Sequence, residues 1–225
     1  MTTTTPDLTD YRVIHECLRI APHRLGAALT AFEDGAEGQA KALVRYWAGY
    51  AGEVLAHHTI EDDIFFPALV ERVPLASEHL GRVDDEHHRL DDLMEEAAAD
   101  MQRLADAPTV AVAMDAAAAV RELARLMDGH LDFEDDDLVP LFGRHFSAAE
   151  YEAMHQQAAK SLGLGRQAAF TVPFIVHWAD PDDIAKLMGD APLPFRVLYR
   201  LSRRSHERLT ARALRAAADR EAVLV

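Results

Sequence analysis

The stretch Ala56-His57-His58-Thr59-Ile60-Glu61-Asp62-Asp63-Ile64-Phe65-Phe66-Pro67 returns in altered form as Gly129-His130-Leu131-Asp132-Phe133-Glu134-Asp135-Asp136-Asp137-Leu138-Val139-Pro140. Each copy reads histidine, three residues, glutamate, further acids, apolar residues and a proline ten positions after the histidine. Four residues of helix turn through about 400°, so histidine and glutamate leave one face a single turn apart. An imidazole and a carboxylate so placed can bind one metal ion or bridge two. A single copy reads equally well as an acidic surface with incidental histidines. Two matched copies on buried faces read as a site.

Working outward, each copy lies in a long apolar stripe whose steps alternate three and four, the spacing of a buried helix face. One stripe runs Leu43, Trp47, Tyr50, Val54, His57, Glu61, Ile64, Ala68; the other runs Ala116, Ala119, Leu123, Leu126, His130, Glu134, Leu138, Leu141. Two more carry a histidine each: Leu8, Tyr11, His15, Leu18, Pro22, Leu25, Leu29, Phe32, and Leu80, Val83, His87, Leu90, Met94, Ala97, Met101, Leu104. Pro22 is expected to kink or divide the first helix, and Asp34-Gly35 with Gly38 marks the loop after it. Strict alternation places His57 and His87 inside their stripes and His58 and His88 outside. Short connections between long helices predict an all-α, up-down-up-down four-helix bundle over residues 8–145.

The halves repeat. His57 to His130 and Glu61 to Glu134 are both offset by 73 residues, and His15 to His87 by 72. A pseudo-twofold bundle of this kind brings His15, His57, Glu61, His87, His130 and Glu134 to one central level. Six buried ionisable groups would consume much of a typical stability of about 5–15 kcal/mol. A pair of dications relieves that cost by supplying the missing positive charge. The donors are all nitrogen and oxygen, so Zn, Cu, Fe and Ni remain open on chemistry alone. A histidine-rich set favours reversible binding or peroxide handling over attack on C–H bonds.

Composition sets the frame. The chain has 225 residues, a net charge of −15 and a single cysteine, Cys17. The acidity argues against nucleic acid, and one cysteine excludes an intrachain disulfide and a thiolate cage. No apolar run is long enough to span a membrane, and the polar Thr2–Pro6 lead-in has no targeting pattern, so a cytoplasmic protein is expected. Beyond residue 145 the pattern changes to a helical extension, 146–225, packed on the bundle, with short helices at 148–163, 165–177 and 181–189. Ser147 and Glu150 form a capping signature. A basic helix from Phe195 to Ala217 follows, in a segment (195–225) of net charge +5. It either docks on the acidic bundle or attaches to a membrane surface or partner.

The order His15, His57-x-x-x-Glu61, His87, His130-x-x-x-Glu134 resembles the hemerythrin-like, HHE cation-binding family, in a bacterial branch with a C-terminal extension. That resemblance implies two iron ions with an oxo or hydroxo bridge. His15, His57, His87 and His130 would be terminal ligands, and Glu61 and Glu134 bridges. It implies binding of O2 or NO in sensing or in oxidative or nitrosative stress defence, with catalase-like turnover of H2O2, or metal storage without gas chemistry, as alternatives. The oxygen carriers of the family have a further histidine one turn after the third-helix ligand, where this chain has Asp91, and a fourth-helix carboxylate where it has Asp135. Glu134 is preferred to Asp135 because it matches Glu61 by the repeat. One histidine fewer leaves a position open on one iron and weighs against oxygen carriage. Asp91, just off the apolar stripe, is either a further ligand or a solvated acid. Tyr50 either hydrogen-bonds or coordinates at the site, or is a core aromatic whose hydroxyl is satisfied elsewhere, and Tyr11 has the same two readings. A monomer or weak dimer is expected.

Overall fold

The computed structural model describes residues 5–162 and 165–221, the side chains of 162, 190 and 216–221 excepted. Among the described residues there is helix and no strand. The bundle comprises α1 (Thr9–Thr30), α2 (Glu37–Ile60), α4 (Ser77–Asp106) and α5 (Val110–Phe133), with short α3 (Phe66–Arg72) and α6 (Val139–His145) continuing α2 and α5. Then come α7 (Ala148–Leu162), α8 (Arg166–Trp178), α9 (Pro181–Asp190) and α10 (Leu193–Glu221). Gly35 supplies the positive φ (77°) that turns the chain from α1 into α2. Ser147 and Glu150 cap α7 reciprocally: Ser147 N–H donates to the Glu150 carboxylate at 2.8 Å, and Glu150 N–H to Ser147 Oγ at 3.3 Å.

Pro22 does not divide α1, which runs through it unbroken. A proline lacks the N–H that would bond the carbonyl four residues back, here Leu18. Tyr50 supplies the missing donor, its hydroxyl lying 3.1 Å from Leu18 O. This fixes Tyr50, fully buried, as a helix–helix tie whose hydroxyl is committed away from the histidines. Tyr50→Phe is therefore expected to lower stability by about 1–3 kcal/mol, since it orphans a buried carbonyl. Metal content should not change. Denaturant unfolding together with elemental analysis checks both halves of that expectation.

Both signature stretches leave the α-helix at the glutamate. Glu61–Phe65 and Glu134–Leu138 are π-turns, closed by Phe66 N–H to Glu61 O and Val139 N–H to Glu134 O. Pro67 and Pro140 follow directly, and in a regular helix their rings would crowd the carbonyls of Asp63 and Asp136. The wider turn accommodates them and inserts one residue into the register. The stripes consequently slip by one: Leu69 and Phe142 are fully buried where strict spacing expects Ala68 and Leu141, which stay half-buried.

The extension packs on the bundle between α1 and α2. On α10, His206, Thr210, Ala213 and Leu214 are buried, and Gln39 Nε2 donates to Ala213 O at 3.1 Å. Trp178 of α8 donates to the Tyr46 hydroxyl at 2.8 Å. Gly49 and Gly52 permit this approach, since a Cβ at Gly49 would stand 2.3 Å from the Phe170 ring and one at Gly52 2.4 Å from Gln167 Oε1. The basic helix thus docks on its own bundle, but through small and apolar side chains. Arg196, Arg200, Arg204, Arg208, Arg212 and Arg215 face solvent.

Candidate metal centre

The six residues marked by the repeat meet inside the bundle. His15, His57, Glu61 and Glu134 form one group and His58, His87 and His130 another, the donor atoms of each group lying within 4.8 Å of one another. All seven side chains are buried, none more than 7% exposed. The layer lies between two apolar clusters. Leu18, Tyr50, Val54, Leu90, Leu123 and Met127 belong to the larger. Phe65, Phe66, Leu69, Leu138, Phe142 and Tyr151 belong to the smaller. The two clusters flank the layer along the bundle.

The two glutamates span the groups. Glu61 Oε1 lies 3.3 Å from His57 Nε2 and 3.8 Å from His15 Nε2, while its Oε2 lies 3.8 Å from His87 Nε2. Glu134 Oε2 lies 3.5 Å from His15 Nε2, and its Oε1 is 3.5 Å from His130 Nε2 and 3.9 Å from His87 Nε2. Each carboxylate thus presents one oxygen to each set of imidazoles. Two donors held about 2.1 Å from one ion, at angles of about 90–110°, stand roughly 3–3.5 Å apart. The nearer separations match the edges of a coordination polyhedron, and the longer ones need a shift of a few tenths of an ångström.

The polar accounting agrees. The Nε2 atoms of His15, His57, His58, His87 and His130, with Glu61 Oε2 and both Glu134 oxygens, are buried without a hydrogen-bond partner. Such groups are rare in a folded interior and costly. The other ring nitrogen of three of these histidines is occupied. His15 Nδ1 meets Asp135 at 2.8 Å, His87 Nδ1 meets Asp62 at 3.3 Å, and His130 Nδ1 meets Glu86 at 3.2 Å. A carboxylate on Nδ1 fixes the tautomer and leaves Nε2 as donor to a metal. The repeat extends to this outer contact, crosswise: the acid after each repeated glutamate, Asp62 or Asp135, holds the first histidine of the other half. Arg19 in turn binds Asp135 at 3.4 Å and Asp132 at 2.7 Å.

Electrostatics without the metal shows the strain of collecting these groups. Burial pushes His57 down to about 3 and His130 to about 4, and His58 well below its ordinary value, so these rings are neutral donors. Burial, then the Glu61 charge, raises Glu134 well above the usual carboxylate range. Burial also opposes Glu61, but the surrounding imidazoles, His57 foremost, outweigh it and hold its carboxyl low. Two acids pushed apart in this way share a deficit of positive charge that a dication fills.

One expectation needs correction, and two candidates fall outside the layer. His58 is 3% exposed and faces the site, its ring stacked on His87 at 3.8 Å. From Val54, positions three and four residues on lie about 60° to one side and 40° to the other, so one broad buried face takes both His57 and His58. His58 on α2 thus adds a fifth imidazole to the layer, where α4 has Asp91 in place of a second histidine. Asp91 is exposed on α4 and belongs to neither group. The tyrosine that touches the site is Tyr11, whose hydroxyl donates to Glu61 Oε1 at 2.5 Å, and not Tyr50. His88 is exposed as expected, and Asp135 holds His15 from outside, as described above. The sequence signal for Asp62 and Asp135 was present in the acids that follow each repeated glutamate. His58 breaks the repeat, its counterpart being Leu131.

An all-helical bundle with a buried histidine–carboxylate layer able to hold metal defines a metal-binding protein. Residues 9–142 match the Hemerythrin HHE cation binding domain, and the chain belongs to that family. No curated protein and no solved structure gives a significant match. No helix among the described residues is long and apolar enough to cross a membrane.

Replacing Asp135 or Asp62 by Asn keeps the shape and removes the charge on the histidine's Nδ1. Each substitution is expected to weaken metal binding by about 10–100-fold, read by competition with a chelator of known affinity. Unchanged affinity in both variants would remove these acids from the account.

Proposed function

We propose that the chain is a non-haem di-iron protein of hemerythrin type, with His15, His57, His58, His87 and His130 as terminal ligands and Glu61 and Glu134 as bridges. In this reading it binds dioxygen or nitric oxide in sensing or in oxidative or nitrosative stress defence. The observation that carries it is the reach of both glutamates across two groups of imidazoles, each glutamate offering one oxygen to each group. Iron would supply reversible redox chemistry and affinity for O2 and NO. The chain contributes buried imidazole and carboxylate donors, with the rings of His15, His87 and His130 each held at Nδ1 by an acid. With His58 counted, the donor set is five histidines and two carboxylates, so shortage of histidine no longer weighs against oxygen binding.

One observation favours the second reading, catalase-like decomposition of H2O2. Proton movement must accompany that reaction, and the Tyr11 hydroxyl donates its proton to Glu61 Oε1 across an oxygen–oxygen distance of 2.5 Å at the edge of the site. Stopped-flow mixing of the reduced protein with O2, NO and then H2O2 separates the readings. A stable, ligand-dependent absorption band supports binding. Rapid oxygen evolution from peroxide supports turnover. Absence of any spectral response, in protein holding a redox-inert metal, overturns both in favour of storage or a structural ion.

A further inference from the structure

An apolar cavity of about 330 Å³ lies where the extension meets the bundle, walled by α1, α2, α7, α8 and Phe195 of α10. Exposed Ala159 and half-buried Asp10 and His155 stand at its rim, and the aliphatic wall is itself half-buried, so the cavity is open to solvent. Tyr11, His57 and Glu61 are all buried and mark the floor, which is one edge of the metal centre. Between them the walls are mostly aliphatic, with Ile14, Ala56, Ile60, Ala168, Val172 and Ile175 prominent. The volume is on the order of ten waters, whereas O2, NO or H2O2 needs the room of one or two. Cavities of this size and lining are characteristic of small-molecule sites.

We infer that this cavity binds an uncharged organic molecule with an apolar body and one hydrogen-bonding group, lying on the approach to Tyr11 and His57. The charges around it decide the class. An anion would meet Asp10, Glu53 and Glu61 and lose its hydration against aliphatic walls. A cation would find no free acid. Asp10 is engaged by His155 at 2.6 Å, Glu61 by Tyr11 at 2.5 Å, and Glu53 by Thr171 and by Gln167 at 3.3 Å. In the polar cluster of Glu53, Gln167 and Thr171 the amide and hydroxyl donors are already committed to Gly49 O, Glu53 and Thr171, so the cluster offers acceptors, the carboxylate and the Gln167 carbonyl, to a ligand hydroxyl. Access of small ligands to the centre from this side then depends on whether the cavity is filled. Its walls belong to the chain alone, so the inference stands apart from the identity of the metal.

Calorimetric titration of the purified protein with 1-octanol, octanoate and octylamine tests it, repeated after metal removal. Saturable binding of one 1-octanol per chain is expected in both forms, with the two ions weaker by about tenfold or more. Ala168→Phe, which fills the cavity, should weaken 1-octanol at least tenfold. Ala159→Trp at the exposed rim should do the same without burdening the fold. Absence of saturable binding overturns the inference. So does equal affinity for octanoate or octylamine, or binding that both variants leave unchanged. Protein that lacks iron but still binds 1-octanol would reject the di-iron reading alone.

Discussion

Stripping the metal with a chelator is expected to lower the midpoint of thermal unfolding by roughly 8–16 °C. Binding to the native state alone stabilises by about 4 kcal/mol at a thousand times the dissociation constant. For a chain of this size each kcal/mol moves the midpoint by about 2–4 °C. The mechanism is visible in the unpartnered atoms: removing the ions returns five imidazole nitrogens and three carboxylate oxygens to an interior that offers them nothing. Differential scanning calorimetry before and after chelation, with metal added back, reads the effect. A shift below about 2 °C, fully metal-depleted, would mean that the layer is satisfied without ions.

If the centre holds two ions as proposed, His58→Leu is expected to cost one of them, taking the content from two per chain to about one. Its ring stacks on His87 and neither of its nitrogens has another partner, so a ligand role is what remains for it. The group it belongs to, with His87 and His130, has no carboxylate of its own beyond the oxygens shared from Glu61 and Glu134. Loss of a direct ligand should exceed the roughly 10–100-fold of an outer partner. His88→Leu is the control: that side chain is 77% exposed and should leave the metal untouched. Full metal content and an unchanged spectrum in His58→Leu would exclude His58 from the centre and restore the six-residue set.

The bundle and most of the site were legible in the sequence because both rest on periodicity. Residues spaced for one helix face must be buried together, and the 73-residue repeat shows that two such faces meet. What escaped was whatever depends on where the helix deviates or how wide its buried arc is. Leu69 and Phe142 replace Ala68 and Leu141 because each π-turn adds a residue, an effect that counting from the glutamates does not reveal. The prolines six positions on were its trace. His58 escaped because strict alternation chooses one residue where the interior accepts two neighbours. The partner of Tyr50 was not legible because it is a backbone carbonyl released by Pro22, on another helix and 32 positions away in sequence. The stacking of α8 against Gly49 and Gly52, and the cavity it leaves, depend on a packing between distant segments with no repeated pattern to announce it.

The most direct measurement of the central claim is elemental analysis, with visible absorption, of protein expressed in iron-replete medium and purified without added metal. Two iron ions per chain with ligand-sensitive visible bands are expected. Colourless protein carrying zinc, a single ion, or none would contradict the di-iron centre, while leaving the helical bundle as described.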